Sequence, residues 1–173
     1  MQDILIVVDM QNDFISGSLG TSEAQAITPN VLRLIKDFDG KIIFTKDTHE
    51  ANYLYTKEGK NLPVAHCIKG TQGWEIEKSL LPYTKEIIEK PTFGSLELVK
   101  RLQDLDREEK INTITFVGLC TDICVISNVL LTKSAFLEAE IIVDASCCAG
   151  VSPQSHKNAL EAMKMCQIKI VGE

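Results

Sequence analysis

A chain of 173 residues is long enough for one domain with a sizeable core and short for two, and its 45% apolar and 24% charged residues are an ordinary globular balance that argues against disorder. A formal net charge of −6 with no Lys/Arg stripe argues against nucleic acid and anionic membrane as partners. The first residues enter an apolar run with no basic stretch before it, and no run approaches the roughly 20 residues of a membrane span, so the expectation is a cytoplasmic protein with reduced thiols.

Residues 4–8 are a continuous β-branched run, as in a strand buried on both faces. Asp9 follows directly and so stands at its carboxyl end. Gly17, Ser18, Gly20 and Ser22 read as a loop, and 24–38 as a helix whose start Pro29 places near Thr28. Residues 41–45 predict a second strand, with Asp47 and His49 just beyond it. Residues 50–73 are a long irregular excursion, of the kind that is usually functional in a compact domain. A short helix is expected over 75–80 and a third strand over 86–89, ended by Lys90. Ser95 caps a helix over 96–105. The run 114–117 predicts a fourth strand, which Gly118 breaks. Thr121 then stands where a helix N-cap belongs, which puts Cys124 in the first helical turn. Residues 140–144 predict a fifth strand, Ser152-Pro153 opens a helix, and 168–171 close the chain as a sixth strand.

Strands that alternate with helices, and are apolar throughout, indicate a three-layer αβα Rossmann-like fold of the α/β class, with a mainly parallel sheet of about six strands in a single domain, residues 1–173. Ligands of such sheets bind outside the carboxyl ends of the strands. Asp9, Asp47, Lys90 and Cys124 all sit at such ends. On spacing alone Cys124 is more simply a small buried residue between strand and helix. Convergence of four polar residues on one sheet edge reverses that preference. Unpaired amides and the positive end of a helix dipole favour a thiolate and could hold an oxyanion. Asp9 can take and return a proton, and Lys90 can balance charge. Asp47, His49 and His66 offer one carboxylate and two imidazoles, a set that suits zinc, iron or another divalent first-row metal, with Glu58 as a fourth donor. His156, beside Lys157, is assigned no chemistry.

The stretch from Asp9 to Phe14, Lys90, and the stretch from Gly118 to Val125 resemble the isochorismatase-like cysteine hydrolase superfamily across nearly the whole chain. The resemblance implies a catalytic triad of Asp9, Lys90 and Cys124. It also implies an oxyanion hole from the amides of Cys120 and Cys124, and a cis peptide between Leu119 and Cys120. Asp47, His49 and the stretch from His66 to Thr71 resemble the metal-binding nicotinamidase branch. That branch implies a divalent metal, zinc first with iron or manganese as alternatives, and a homo-oligomer. Its members often carry an aromatic residue shortly before the second histidine; here Leu62-Pro63-Val64-Ala65 stands instead, leaving Phe14 and Phe93 to line the pocket. The expected activity is hydrolysis of a small-molecule amide, nicotinamide to nicotinate and ammonia, through a cysteine thioester. The alternatives are the same chemistry on another small amide or carbamoyl compound, a non-catalytic metal- or ligand-binding member of the fold, and a thiol redox protein. No C-x-x-C redox motif supports the last.

Overall fold

The computed structural model describes residues 1–173. The six apolar runs become six parallel strands: β1 (Gln2–Val8), β2 (Lys41–Asp47), β3 (Ile87–Lys90), β4 (Ile111–Leu119), β5 (Glu140–Ala149) and β6 (Lys169–Val171). Six helices accompany them: α1 (Asn12–Ile15), α2 (Ser22–Asp37), α3 (Lys57–Asn61), α4 (Leu96–Glu108), α5 (Ile126–Ala135) and α6 (Pro153–Met165). No helix is long and apolar enough to cross a membrane. Strand order is β3-β2-β1-β4-β5-β6. The chain therefore builds outward from β1 to β3, then returns to the other side of β1 as β4. A crevice opens at that reversal, above the carboxyl ends of β1 and β4.

Successive side chains of a strand point to opposite faces, and β1 supplies a core to each. Ile4, Ile6 and Val8 pack against Leu98 and Leu102 of α4, Val129 of α5, and Leu160 and Met163 of α6. Leu5 and Val7 face Ala24, Ile27, Val31 and Ile35 of α2, spaced three or four apart. Each fully buried Leu, Ile or Val contributes roughly 1.5–3 kcal/mol, so the sheet is rigid where the site is mounted.

The doubly covered parallel sheet matches the fold class read from the sequence, and four local expectations need correction. Helix α2 begins at Ser22, capped by Thr21, whose side chain accepts from the Ala24 amide at 3.0 Å. Pro29 lies inside it, where it and Gln25, whose carbonyl it leaves without an amide partner, are both exposed. Water can take that carbonyl, while the apolar face that starts at Ala24 holds the helix together. Residues 75–80 form turns rather than a helix. They are laid along the 10–12 segment, with Asn12 N on Glu75 O and Glu77 N on Met10 O, both at 2.9 Å. Gly118 does not break β4. Its φ of +115° keeps it in the strand, and a Cβ there would collide with the Val8 carbonyl, so glycine lets β4 close on β1 at the crevice. Thr121 is not an N-cap. It opens a wide π-helical turn, Thr121–Val125, and its hydroxyl is bonded to His156 Nδ1 at 2.8 Å.

Candidate active site

The three strands β1, β2 and β3 end on the same edge and deliver Asp9, Asp47 and Lys90 side by side. Asp9 is fully buried, in a left-handed backbone conformation (φ 47°) that aspartate tolerates. Its Oδ1 accepts from Thr45 Oγ1 at 2.6 Å, and its Oδ2 pairs with Lys90 Nζ at 2.6 Å. Lys90 Nζ also lies 3.4 Å from Cys124 Sγ, 3.0 Å from Thr92 O and 3.6 Å from Asp47 Oδ1. Burial works against the charge on Lys90. The Asp9 carboxylate, with that of Asp47, more than offsets it and holds the ammonium well above its usual range. Burial pushes the Asp9 carboxyl up, with Lys90 opposing and Asp47 adding to the rise. An aspartate raised in this way is a better proton acceptor than an ordinary one.

Cys124 sits in the π-helical turn between β4 and α5 and is buried. The Leu119–Cys120 peptide before it is cis. The Cys120 carbonyl accepts from the amides of Ile123 and Val125, both at 3.0 Å, and passes over that of Cys124. The Cys120 side chain lines the same cavity as Cys124. The thiolate expected from the helix terminus does not survive the surroundings. Burial, then the Asp9 carboxylate, push the Cys124 thiol well up, and Lys90 only partly opposes them. At rest the sulfur keeps its proton, with a base beside it to take the proton when substrate is in place.

Asp47, His49 and His66 converge, with one donor atom from each within 4.8 Å of the others. Asp47 Oδ2 lies 3.0 Å from His49 Nε2 and 3.6 Å from His66 Nε2, and Glu58 Oε1 lies 3.5 Å from His49 Nε2. His49 Nε2 is buried and has the Asp47 carboxylate within reach, but no neighbour meets it in good hydrogen-bond alignment. His66 Nδ1 is tied to Val64 O at 2.7 Å, which puts its proton there and leaves the Nε2 lone pair facing Asp47. Burial works against the Asp47 carboxylate, but His49 and Lys90 hold it below the usual range. Two buried imidazole nitrogens and an ionised carboxylate turned toward one another are a donor set that fits a divalent metal.

A cavity of about 440 Å³ opens over these groups. Cys124, Cys120, Asp47, His66 and Glu58 give it polar points, and Phe14, Leu62, Phe93 and Ile123 stand among its apolar walls. Two further residues that the sequence reading passed over shape the site. Gln11 is fully buried and clamps the backbone of Asp47: its Oε1 accepts from Asp47 N at 2.7 Å and its Nε2 donates to Asp47 O at 2.8 Å and Trp74 O at 2.9 Å. Tyr53 packs on both histidine rings, 4.6 and 4.9 Å between centroids, and donates to Leu62 O at 3.1 Å. For Gln11, the signals in the sequence were its place two residues beyond Asp9 at a strand end and its position inside the stretch from Asp9 to Phe14.

Residues 3–172 match the family described as the isochorismatase domain. Nicotinamidase of Acinetobacter baylyi is 31% identical over 170 residues, covering 82% of this chain and 79% of that protein. Among solved structures, pyrazinamidase of Pyrococcus horikoshii in complex with zinc is 28% identical with a TM-score of 0.81, covering all of both chains (100% and 100%). Nicotinamidase/pyrazinamidase of Bacillus subtilis is 25% identical with a TM-score of 0.83, over 99% of this chain and 100% of that one.

Proposed function

The chain belongs to the isochorismatase family, and from that premise we propose that it is a nicotinamidase, hydrolysing nicotinamide to nicotinate and ammonia, with residues 1–173 as one hydrolase domain. The observation that carries this reading is the buried contact of Asp9, Lys90 and Cys124 under a mostly apolar cavity large enough for a pyridine ring. Asp9 takes the thiol proton as Cys124 Sγ attacks the carboxamide carbon. The oxyanion is held by the amides of Cys120 and Cys124. Asp9 returns the proton to the leaving nitrogen, the C–N bond breaks, and ammonia departs from a thioester on Cys124. Asp9 then takes a proton from water, whose oxygen attacks the thioester, and the nicotinate and the thiol are released. Lys90 stays protonated throughout, orients Asp9, and keeps two carboxylates compatible in one buried site.

Asp47, His49 and His66 would hold a divalent metal, zinc ahead of iron or manganese, with Glu58 at its edge; such an ion supplies a Lewis acid for the pyridine nitrogen. The zinc in the Pyrococcus horikoshii pyrazinamidase supports this choice. Six free cysteines support a cytoplasmic location, and a homo-oligomer follows from the family alone. The stretch Leu62-Pro63-Val64-Ala65, without the aromatic that nicotinamidases often carry before the second histidine, favours a second reading in which the same chemistry acts on another small amide.

Two measurements test these assignments. Benzamide lacks the ring nitrogen, so its kcat/KM is expected to fall about 100-fold below that of nicotinamide; equal values would remove the metal-anchored pyridine from the account. Gln11→Ala frees the backbone of Asp47. It is expected to weaken zinc about 10- to 100-fold in a chelator competition, as loss of an outer-shell partner does. Unchanged zinc affinity would contradict the role of Asp47 as a ligand held by Gln11.

A further inference from the structure

Asn128 lies in the first turn of α5, directly after the π-helical turn that bears Cys124, and it is completely buried. A buried amide is costly unless bonded, so its partners are informative. Nδ2 donates to Cys124 O at 2.8 Å and to Phe93 O at 3.1 Å, and Oδ1 accepts from Ser95 N at 2.9 Å. The two carbonyls can only accept and the amide can only donate, so the orientation of the side chain is fixed by its neighbours.

These bonds join two parts of the site that are distant in sequence. One is the turn that bears the nucleophile. The other is the segment between Lys90 and α4, which carries Phe93 on the cavity wall and includes Thr92, whose carbonyl accepts from Lys90 Nζ. That segment lies directly on α5: a Cβ on Gly94 would sit 2.5 Å from Leu131 Cδ1.

We propose that Asn128 is a positioning residue that fixes the distance between the Cys124 nucleophile and the Phe93 wall of the substrate cavity; this rests on the hydrolase reading above. Its arm to the Cys124 carbonyl holds the turn that carries the attacking sulfur. Its arm to Phe93 and Ser95 holds the surface against which the ring packs.

Two variants separate the arms. A serine in α5 bonds back to the carbonyl four residues earlier, as Ser127 does to Ile123 O at 2.6 Å and Ser134 to Leu130 O at 2.9 Å. Asn128→Ser therefore keeps a donor for Cys124 O and loses the arm to Phe93. On folded enzyme its KM for nicotinamide is expected to rise about tenfold with kcat within about threefold, the size of effect that losing one or two buried hydrogen bonds carries. Asn128→Ala loses both arms, and its kcat is expected to fall about tenfold as well. Wild-type KM and kcat in both variants, or losses that only track the folded fraction, would overturn the proposal. The alkylation rate of Cys124 by iodoacetamide, read from the mass of its peptide, needs no turnover. It is expected to differ about fivefold between Asn128→Ala and wild type and to be unchanged in Asn128→Ser. Equal rates in all three would overturn the nucleophile arm. A wild-type enzyme that releases no ammonia from nicotinamide would instead sink the substrate reading, leaving the alkylation result to decide the positioning role.

Discussion

Cys124→Ala is expected to abolish ammonia release, by about 10⁴-fold or more, while leaving the fold and the metal content intact. The alanine removes the only atom in the cavity placed both to attack a carbonyl carbon and to give its proton to Asp9 through a buried contact. The sulfur touches Lys90 Nζ, which keeps Asp9 and Thr92 O without it, and the turn around it is held by the Cys120 carbonyl and by Asn128. Stability should therefore change little, since cysteine to alanine in this turn removes one small atom. Circular dichroism, metal analysis and an ammonia assay on the same preparation separate the outcomes. Turnover at the wild-type rate in this variant would remove the thioester from the account.

Lys90→Met is expected to lose activity and stability together. Lys90 is 1% exposed and is the only cation in contact with Asp9, Asp47 and Cys124. Without it, two buried carboxylates face each other and cannot both stay ionised. Asp9 then keeps a proton at neutral pH and cannot serve as the base, so kcat is expected to fall about 10³-fold. Breaking a buried pair by removing one partner costs about 3–5 kcal/mol. Thermal unfolding and kcat measured on one sample test both halves. A variant as stable as wild type would mean that the buried ammonium is not what holds the two aspartates in place.

The strands were legible in the sequence because a central parallel strand is buried on both faces. Residues 4–8 have no polar alternate position, and no other element produces such a run over so short a length. Asp9, Asp47 and Lys90 were legible for a related reason: each follows or ends such a run, and the topology brings those ends together, with Cys124 one turn beyond the end of β4. Gln11, Tyr53 and Asn128 were not. Their partners are backbone atoms of residues 4 to 63 positions away, and a side chain that bonds to backbone leaves no complementary residue to find. The ionisation of Cys124 was misread because the helix terminus is local, whereas the Asp9 carboxylate and the burial that outweigh it arrive only with the tertiary fold. The start of α2 was missed for a simpler reason: Pro29 reads as a boundary only while it is unknown that Gln25 faces water.

The most direct test of the account is ammonia release from nicotinamide by the wild-type enzyme, with and without a chelator. The account predicts fast release that the chelator removes and that zinc restores. No release, from enzyme that holds metal and has an intact Cys124, would contradict it.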